Sequence, residues 1–211
     1  MKNVIHVKRS AIAFSAVIAA LGIMPSTGTA GSGHDAASAG PKATSSAAAR
    51  VARRNFAVLR RHKARRDIIR SRSRSTRTRA KLAALDSRLV FDGGAEYKLY
   101  LILQSPRVCL SMVNEARGSS GGTCTNVGDL VAGRQMLALG ELKPTAVHFA
   151  VAAPDGSRDA QRTGPGGAVS ALPIANNVIV DTLTELSTIS FTDRLGQRRQ
   201  LPPFGPWEPR R

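Results

Sequence analysis

Acidic side chains are in short supply in this chain of 211 residues: 14 Asp and Glu face 31 Lys and Arg, a formal net charge of +17 at pH 7. Aromatic residues make up only 4%, with a single Trp, and there are two cysteines, Cys109 and Cys124. Each shortage excludes something. Two cysteines without a close cluster of His, Cys or carboxylate partners do not form a tetrahedral zinc site. With fourteen residues between them rather than two, they are not a redox-active Cys-x-x-Cys pair either. Phe56 is the one aromatic in the most basic stretch, so a platform of stacked rings for single-stranded nucleic acid is missing. Gly164-Pro165-Gly166-Gly167 lacks the Lys-Ser/Thr ending of a phosphate-binding loop and reads as a hairpin or loose connection. No cofactor and no metal are expected.

The amino-terminal apolar run, Ala11 to Met24, is shorter than the roughly 20 residues that a membrane-spanning helix needs. Lys2, Lys8 and Arg9 precede it, Pro25 and the small residues Ser26 to Ala30 follow, and no acid occurs in this stretch. Positive head, short apolar core and small-residue exit make a secretory signal peptide over 1–30, with cleavage after Ala30. An uncleaved anchor is the competing reading and meets the same objection of length. Lipidation needs a Cys at the cleavage point, and Lys8-Arg9 is only half of a twin-arginine signal. The expected location is secreted or associated with the cell envelope.

Charge is distributed very unevenly beyond the leader. Residues 50–81 hold fourteen Lys and Arg against one acid, Asp67, whereas 82–211 hold thirteen basic and twelve acidic residues. A near-neutral domain therefore carries a basic arm. Residues 31–49, rich in Gly, Ser, Ala and Thr and devoid of large apolar residues, read as a disordered linker. The arm, 50–94, reads as partly helical: Val51, Phe56 and Leu59 give a loose apolar stripe, and Leu82, Leu85 and Leu89 resume helical spacing before Asp92-Gly93-Gly94. Between them, Ser71 to Arg79 alternates like charges with poor helix formers and reads as extended and solvated.

From Tyr97 the period becomes strand-like. Tyr97–Leu103, Val108–Val113, Ala146–Ala152, Asn177–Val180, Leu186–Phe191 and Gln197–Leu201 are strand candidates, with Gln135–Leu139 and Ala168–Leu172 weaker ones. Asn126–Leu130 reads as a short capped turn, and Gly118–Thr123 as a flexible loop. Short strands separated by turn residues predict a mainly β fold: a compact antiparallel sandwich or barrel over 95–201, preceded by the disordered linker and the basic helical arm. Pro-rich 202–211 forms a tail. In an oxidising compartment Cys109 and Cys124 pair most simply as a disulfide that closes a loop of about 15 residues and contributes about 3 kcal/mol.

Gly118-Ser119-Ser120-Gly121-Gly122 fits the Gly-x-Ser-x-Gly pattern of a hydrolase elbow, yet no helix follows it, and the only His after residue 62 is His148, inside a predicted strand. A hydrolase using Ser120 and His148 is the weakest reading, and the chain is expected to be non-enzymatic.

Phe56-Ala57-Val58-Leu59-Arg60-Arg61, Val108-Cys109-Leu110 with Cys124, the block Val147 to Gly156, Asn176-Asn177-Val178-Ile179-Val180, and Ile189 to Asp193 with Gly196 occur in that order. In this the chain resembles a group of uncharacterised exported proteins of actinobacteria, in which a leader and linker precede an F-x-V-L/F-R-R segment and a small disulfide-containing β-domain. The resemblance spans roughly 55 to 201 and implies the architecture without an activity. His62-Lys63-Ala64-Arg65-Arg66 departs from the group, where Pro and an acidic segment usually follow the Arg pair, and makes this arm unusually basic.

Clustered arginines attract polyanions through phosphate or sulfate contacts and counterion release. Export disfavours RNA and leaves wall polymers, anionic lipid headgroups and extracellular DNA; of these, anionic cell-envelope polymers or lipid headgroups are expected over nucleic acid, contacted by Arg60, Arg61, Arg65, Arg66, Arg72 and Arg74. The alternative is a protein- or glycan-binding β-module with the arm as a spacer.

Overall fold

Val147 to Ala152 is apolar at five of six positions and buried at all six, which requires cover on both faces of the strand. The computed structural model describes residues 41–70, 76–94, 96–114, 119–142 and 146–203, and shows that cover. The expected signal peptide, residues 31–40 of the linker, Arg72, Arg74 and the end of the tail lie outside the described residues.

The helices are α1 (Pro41–Asn55), α2 (Ala57–Arg60), α3 (Thr76–Ala84) and α4 (Val127–Val131). The strands are β1 (Asp86–Asp92), β2 (Lys98–Gln104), β3 (Arg107–Asn114), β4 (Ser119–Asn126), β5 (Ala138–Leu142), β6 (Val147–Ala152), β7 (Arg158–Thr163), β8 (Val169–Ala171), β9 (Ile174–Ala175), β10 (Val178–Leu183), β11 (Thr188–Thr192) and β12 (Arg198–Gln200). They form three antiparallel sheets of four strands, ordered β1-β2-β3-β4, β5-β6-β10-β9 and β12-β11-β7-β8. The protein is mainly β, as its alternation predicts.

Strand periodicity assigns the layers. Ala150, Ala152 and Val178 of the second sheet meet Leu99, Leu101, Leu103, Val108, Leu110 and Met112 of the first. Val147, Phe149, Val151, Ile179 and Leu183 point the other way, onto Ala160, Ile189 and Phe191 of the third. The second sheet is thus the middle layer. The outer face of the first sheet (Leu89, Tyr100, Ile102, Cys109, Val113) is covered in turn by Ile69, Leu82 and Leu85.

Several boundaries differ from those read in the sequence. The linker reading of 31–49 gives way at Pro41, where α1 begins. Leu85 and Leu89 belong to no helix: α3 ends at Ala84, and β1 pairs antiparallel with β2, so this sheet starts before residue 95. A register shift between Leu89 and Phe91 breaks the alternation that would have marked β1. Thr76–Arg79, expected extended, opens α3. Ser119–Thr123, expected as loop, is paired along β3. The basic segment is not an appended arm, because Ala52, Phe56, Val58 and Leu59 lie in the main core.

Candidate polyanion interface

A helix of four residues has no independent stability, so α2 must be held from outside. Phe56 enters it in extended backbone and is completely buried, with Val58 and Leu59 beside it in the core. The first amides of the helix find distant acceptors: Ala57 N donates to Asp155 Oδ1 (2.9 Å) and Val58 N to Asn177 Oδ1 (3.0 Å). Asp155 lies in the turn after β6. Asn176 and Asn177 form the two-residue loop of the β9–β10 hairpin, both left-handed (φ 49° and 65°), a conformation that Asn tolerates. Asn177 Nδ2 closes the clamp by donating to Ala153 O (3.0 Å) and Asp155 Oδ1 (2.8 Å). Burial would raise the Asp155 pKa, but donation from Asn177, Ala57 and Arg60 outweighs it and holds the carboxyl below its ordinary value.

Arg60 and Arg61 are committed within the fold. Arg60 bonds Asp155 Oδ2 at 2.8 Å. Arg61 Nη2 donates to Asp67 Oδ1 (2.7 Å) and to Leu89 O (2.6 Å). Asp67 is fully buried and also accepts from Leu89 N (2.8 Å) and Ala64 N (2.8 Å), while its carbonyl accepts from Ser87 Oγ (2.6 Å). Burial pushes its pKa up. The Ala64 and Leu89 amides and the charges of Arg61 and Arg88 bring it down below the ordinary value. Arg53 and Arg88 both pair with Asp86, at 2.9 and 2.7 Å.

The other cations of the segment differ. Arg65, Arg66, Arg70, Arg77, Arg79 and Lys81 are exposed, and no ion pair engages them among the described residues. They sit on a folded support. Lys63 Nζ caps the C-terminal end of α3 through Ala83 O (2.7 Å) and Leu85 O (2.6 Å), and Ile69 packs in the same cluster as Leu82. The 63–70 loop and α3 are thereby held side by side. Of the six expected contacts, Arg65 and Arg66 are therefore available, and Arg60 and Arg61 are engaged internally. Sequence reasoning passed over Arg70, Arg77, Arg79 and Lys81, although the charge count pointed to them.

An open pocket of about 420 Å³ lies where α2 meets the Pro154–Ser157 turn and the Asn176–Asn177 loop. Its one cation is Arg61, already paired with Asp67, so it attracts an anion less than the open face does. Ser120 and His148 are not brought together as a catalytic pair. Ser120 is exposed on β4 of the first sheet, opposite Val113. His148 is buried in β6 of the middle sheet, its Nδ1 bonded with Thr182 Oγ1 (2.8 Å), its Nε2 3.2 Å from Glu96, its ring against Tyr97. Cys109 and Cys124 form a disulfide between directly opposed residues of β3 and β4. That bond belongs to a non-reducing environment. Among the described residues, no group of three or more His, Cys, Asp or Glu could hold a metal ion, and no helix is long and apolar enough to cross a membrane.

Comparison with protein-family models, curated proteins and solved structures finds no match to this chain. Segments far apart in the sequence converge in space: α2 is clamped by Asp155 and Asn177.

Proposed function

We propose that this is a secreted or envelope-associated, non-enzymatic protein that binds anionic surface polymers on the face made by Arg65, Arg66, Arg70, Arg77, Arg79 and Lys81. The observation that carries this reading is a division of labour within one segment. Arg53, Arg60 and Arg61 neutralise acids of the fold, while these six stay solvent-facing and unneutralised on a folded support. Unpaired cations that keep their counterions gain most when a polyanion displaces those ions. Lipid headgroups offer the same phosphate chemistry. Of the exposed large apolar side chains among the described residues, Phe91 lines a pocket with Arg66, and a single half-covered ring is too little apolar surface to enter a bilayer, so polymers are favoured.

Salt-gradient elution from an immobilised sulfated polysaccharide tests the reading. Deleting the basic segment is not a usable test, because Phe56 and Leu59 would leave the core with it. Instead, Arg65, Arg66, Arg77 and Arg79 are changed together to Gln. The slope of log affinity against log salt is expected to fall by roughly the number of cations removed. Gln at Arg107, Arg134, Arg158 and Arg194, exposed elsewhere, removes the same charge and is expected to shift elution far less. Equal shifts in the two variants would mean that net charge alone governs retention, and the proposed face would be abandoned.

A further inference from the structure

Sheet edges expose unpaired amides and carbonyls, and soluble proteins shorten, charge or cover them. Most edges here follow that rule. β8, β9 and β12 have only two or three residues. β1 is longer but sealed: Leu89 N donates to Asp67, Leu89 O accepts from Arg61, and Val90 O accepts from Asn176 Nδ2. β4, at the opposite edge of the same sheet, has eight residues, Ser-Ser-Gly-Gly-Thr-Cys-Thr-Asn, without a charge, a proline or a register shift.

The direction of its free groups can be fixed. Val127 N donates to Pro106 O (3.1 Å), one step beyond the Arg107–Asn126 pair, and bonded pairs alternate along an antiparallel ladder. Cys109 and Cys124 are therefore a non-bonded pair, consistent with a Cα separation of only 4.0 Å. Ser120, Gly122 and Cys124 then turn their N–H and C=O groups away from β3, and Asn126 its N–H; as the N-cap of α4, Asn126 has its C=O committed to that helix. All four residues are exposed, and outside the helices and strands no backbone hydrogen bond among the described residues reaches the outward groups.

We infer that β4 pairs antiparallel with β4 of a second copy of this chain about a twofold axis at Thr123. In that register Ser120 faces Asn126 of the other copy and Gly122 faces Cys124, which pairs every outward amide and carbonyl of the strand except the Ser120 N–H, whose facing Asn126 carbonyl serves α4. A strand of small side chains offers no pockets for selecting a foreign sequence, which favours a self-complementary partner. Without charge on β4, two strongly cationic chains can meet there with no like charges opposed. The twofold axis runs perpendicular to the sheet, so both copies keep the same face on the same side. The disulfide ties the edge strand to its neighbour.

Light scattering of the purified full chain over a range of concentrations, at high salt to remove polyanion bridging, tests the pairing. The mass should rise from 22.3 kDa toward twice that value. Ser120→Lys with Asn126→Lys opposes like charges at both ends and should weaken dimerisation roughly tenfold or more. Ser120→Lys with Asn126→Glu opposes unlike charges in this register alone and should restore it. A wild-type chain that stays at 22.3 kDa overturns the inference, whatever else the edge binds. So does a dimer indifferent to both double substitutions, which would have to form elsewhere.

Discussion

Asp67 is the only acid between Arg50 and Lys81, and it is completely buried beneath fourteen cations' worth of chain. Its carboxylate joins the Arg61 side chain, the Ala64 amide and β1, so replacing it disturbs three elements together. Asp67→Asn removes the charge while keeping the shape. It is expected to cost about 3 kcal/mol, at the low end for a broken buried pair because Arg61 still reaches solvent. Urea midpoints at neutral pH measure that loss. Asp67, Asp155 and Asp193 all have folded pKa values below the ordinary one; for Asp193, burial is outweighed by the Gln197 and Leu195 amides and by Arg199. Groups lowered in this way contribute stability above the unfolded carboxylate value, near pH 4, and lose it as pH falls through their folded values. The wild-type chain should therefore weaken steeply with acid in that window, and Asp67→Asn less steeply. Parallel curves for the two proteins would show that Asp67 is not ionised in the fold. At the disulfide, replacing Cys109 and Cys124 together by Ala should lower the unfolding free energy by about 3 kcal/mol, measured under non-reducing conditions.

Among the elements, α2 decides whether the basic segment belongs to the domain. Phe56 is buried among residues of the first and middle sheets, so Phe56→Ala should cost about 3–5 kcal/mol. Val51, five residues earlier in α1 and 36% exposed, should tolerate Ala with little change. Similar midpoints for the two variants would mean that the segment is loosely attached after all. β2, β3, β6, β10 and β11 were legible in the sequence because apolar content and turn residues agree there. β7 was not, since Arg-Asp-Ala-Gln-Arg-Thr buries only Ala160. β4 escaped notice because an exposed edge strand needs no apolar side chain, and its Ser and Gly residues imitate a loop. β1 was hidden by leucines whose helical spacing arises from crossing out of α3 into a strand. Of the candidate interface, the sequence revealed the density of charge. It could not tell which arginines would find an acid, because Asp86 and Asp155 come from β1 and from the turn after β6.

For the molecule as a whole, a folded support for unneutralised cations has a thermodynamic consequence. Two unit charges 10 Å apart repel by about 0.4 kcal/mol in water, and six of them on two adjoining segments sum to several such pairs. In an extended arm this repulsion would relax as the chain spreads. Docked onto the outer sheet through Ile69 and Leu82, the cations cannot spread, so the repulsion acts on folding itself. Raising salt from low to physiological strength should therefore raise the melting temperature, because screening reaches exposed charges before the half-buried pairs at Asp67 and Asp193. Gln at Arg65, Arg66, Arg77 and Arg79 should raise the melting temperature at low salt and flatten its salt dependence. A soluble polyanion should stabilise the wild-type chain at low salt by mass action and leave that variant nearly unmoved. Thermal melts across the salt series, with and without polyanion, measure all three effects. If salt lowers the wild-type melting temperature, the ion pairs of the fold outweigh its self-repulsion, and the basic face is better described as neutralised from within than as held open for a partner.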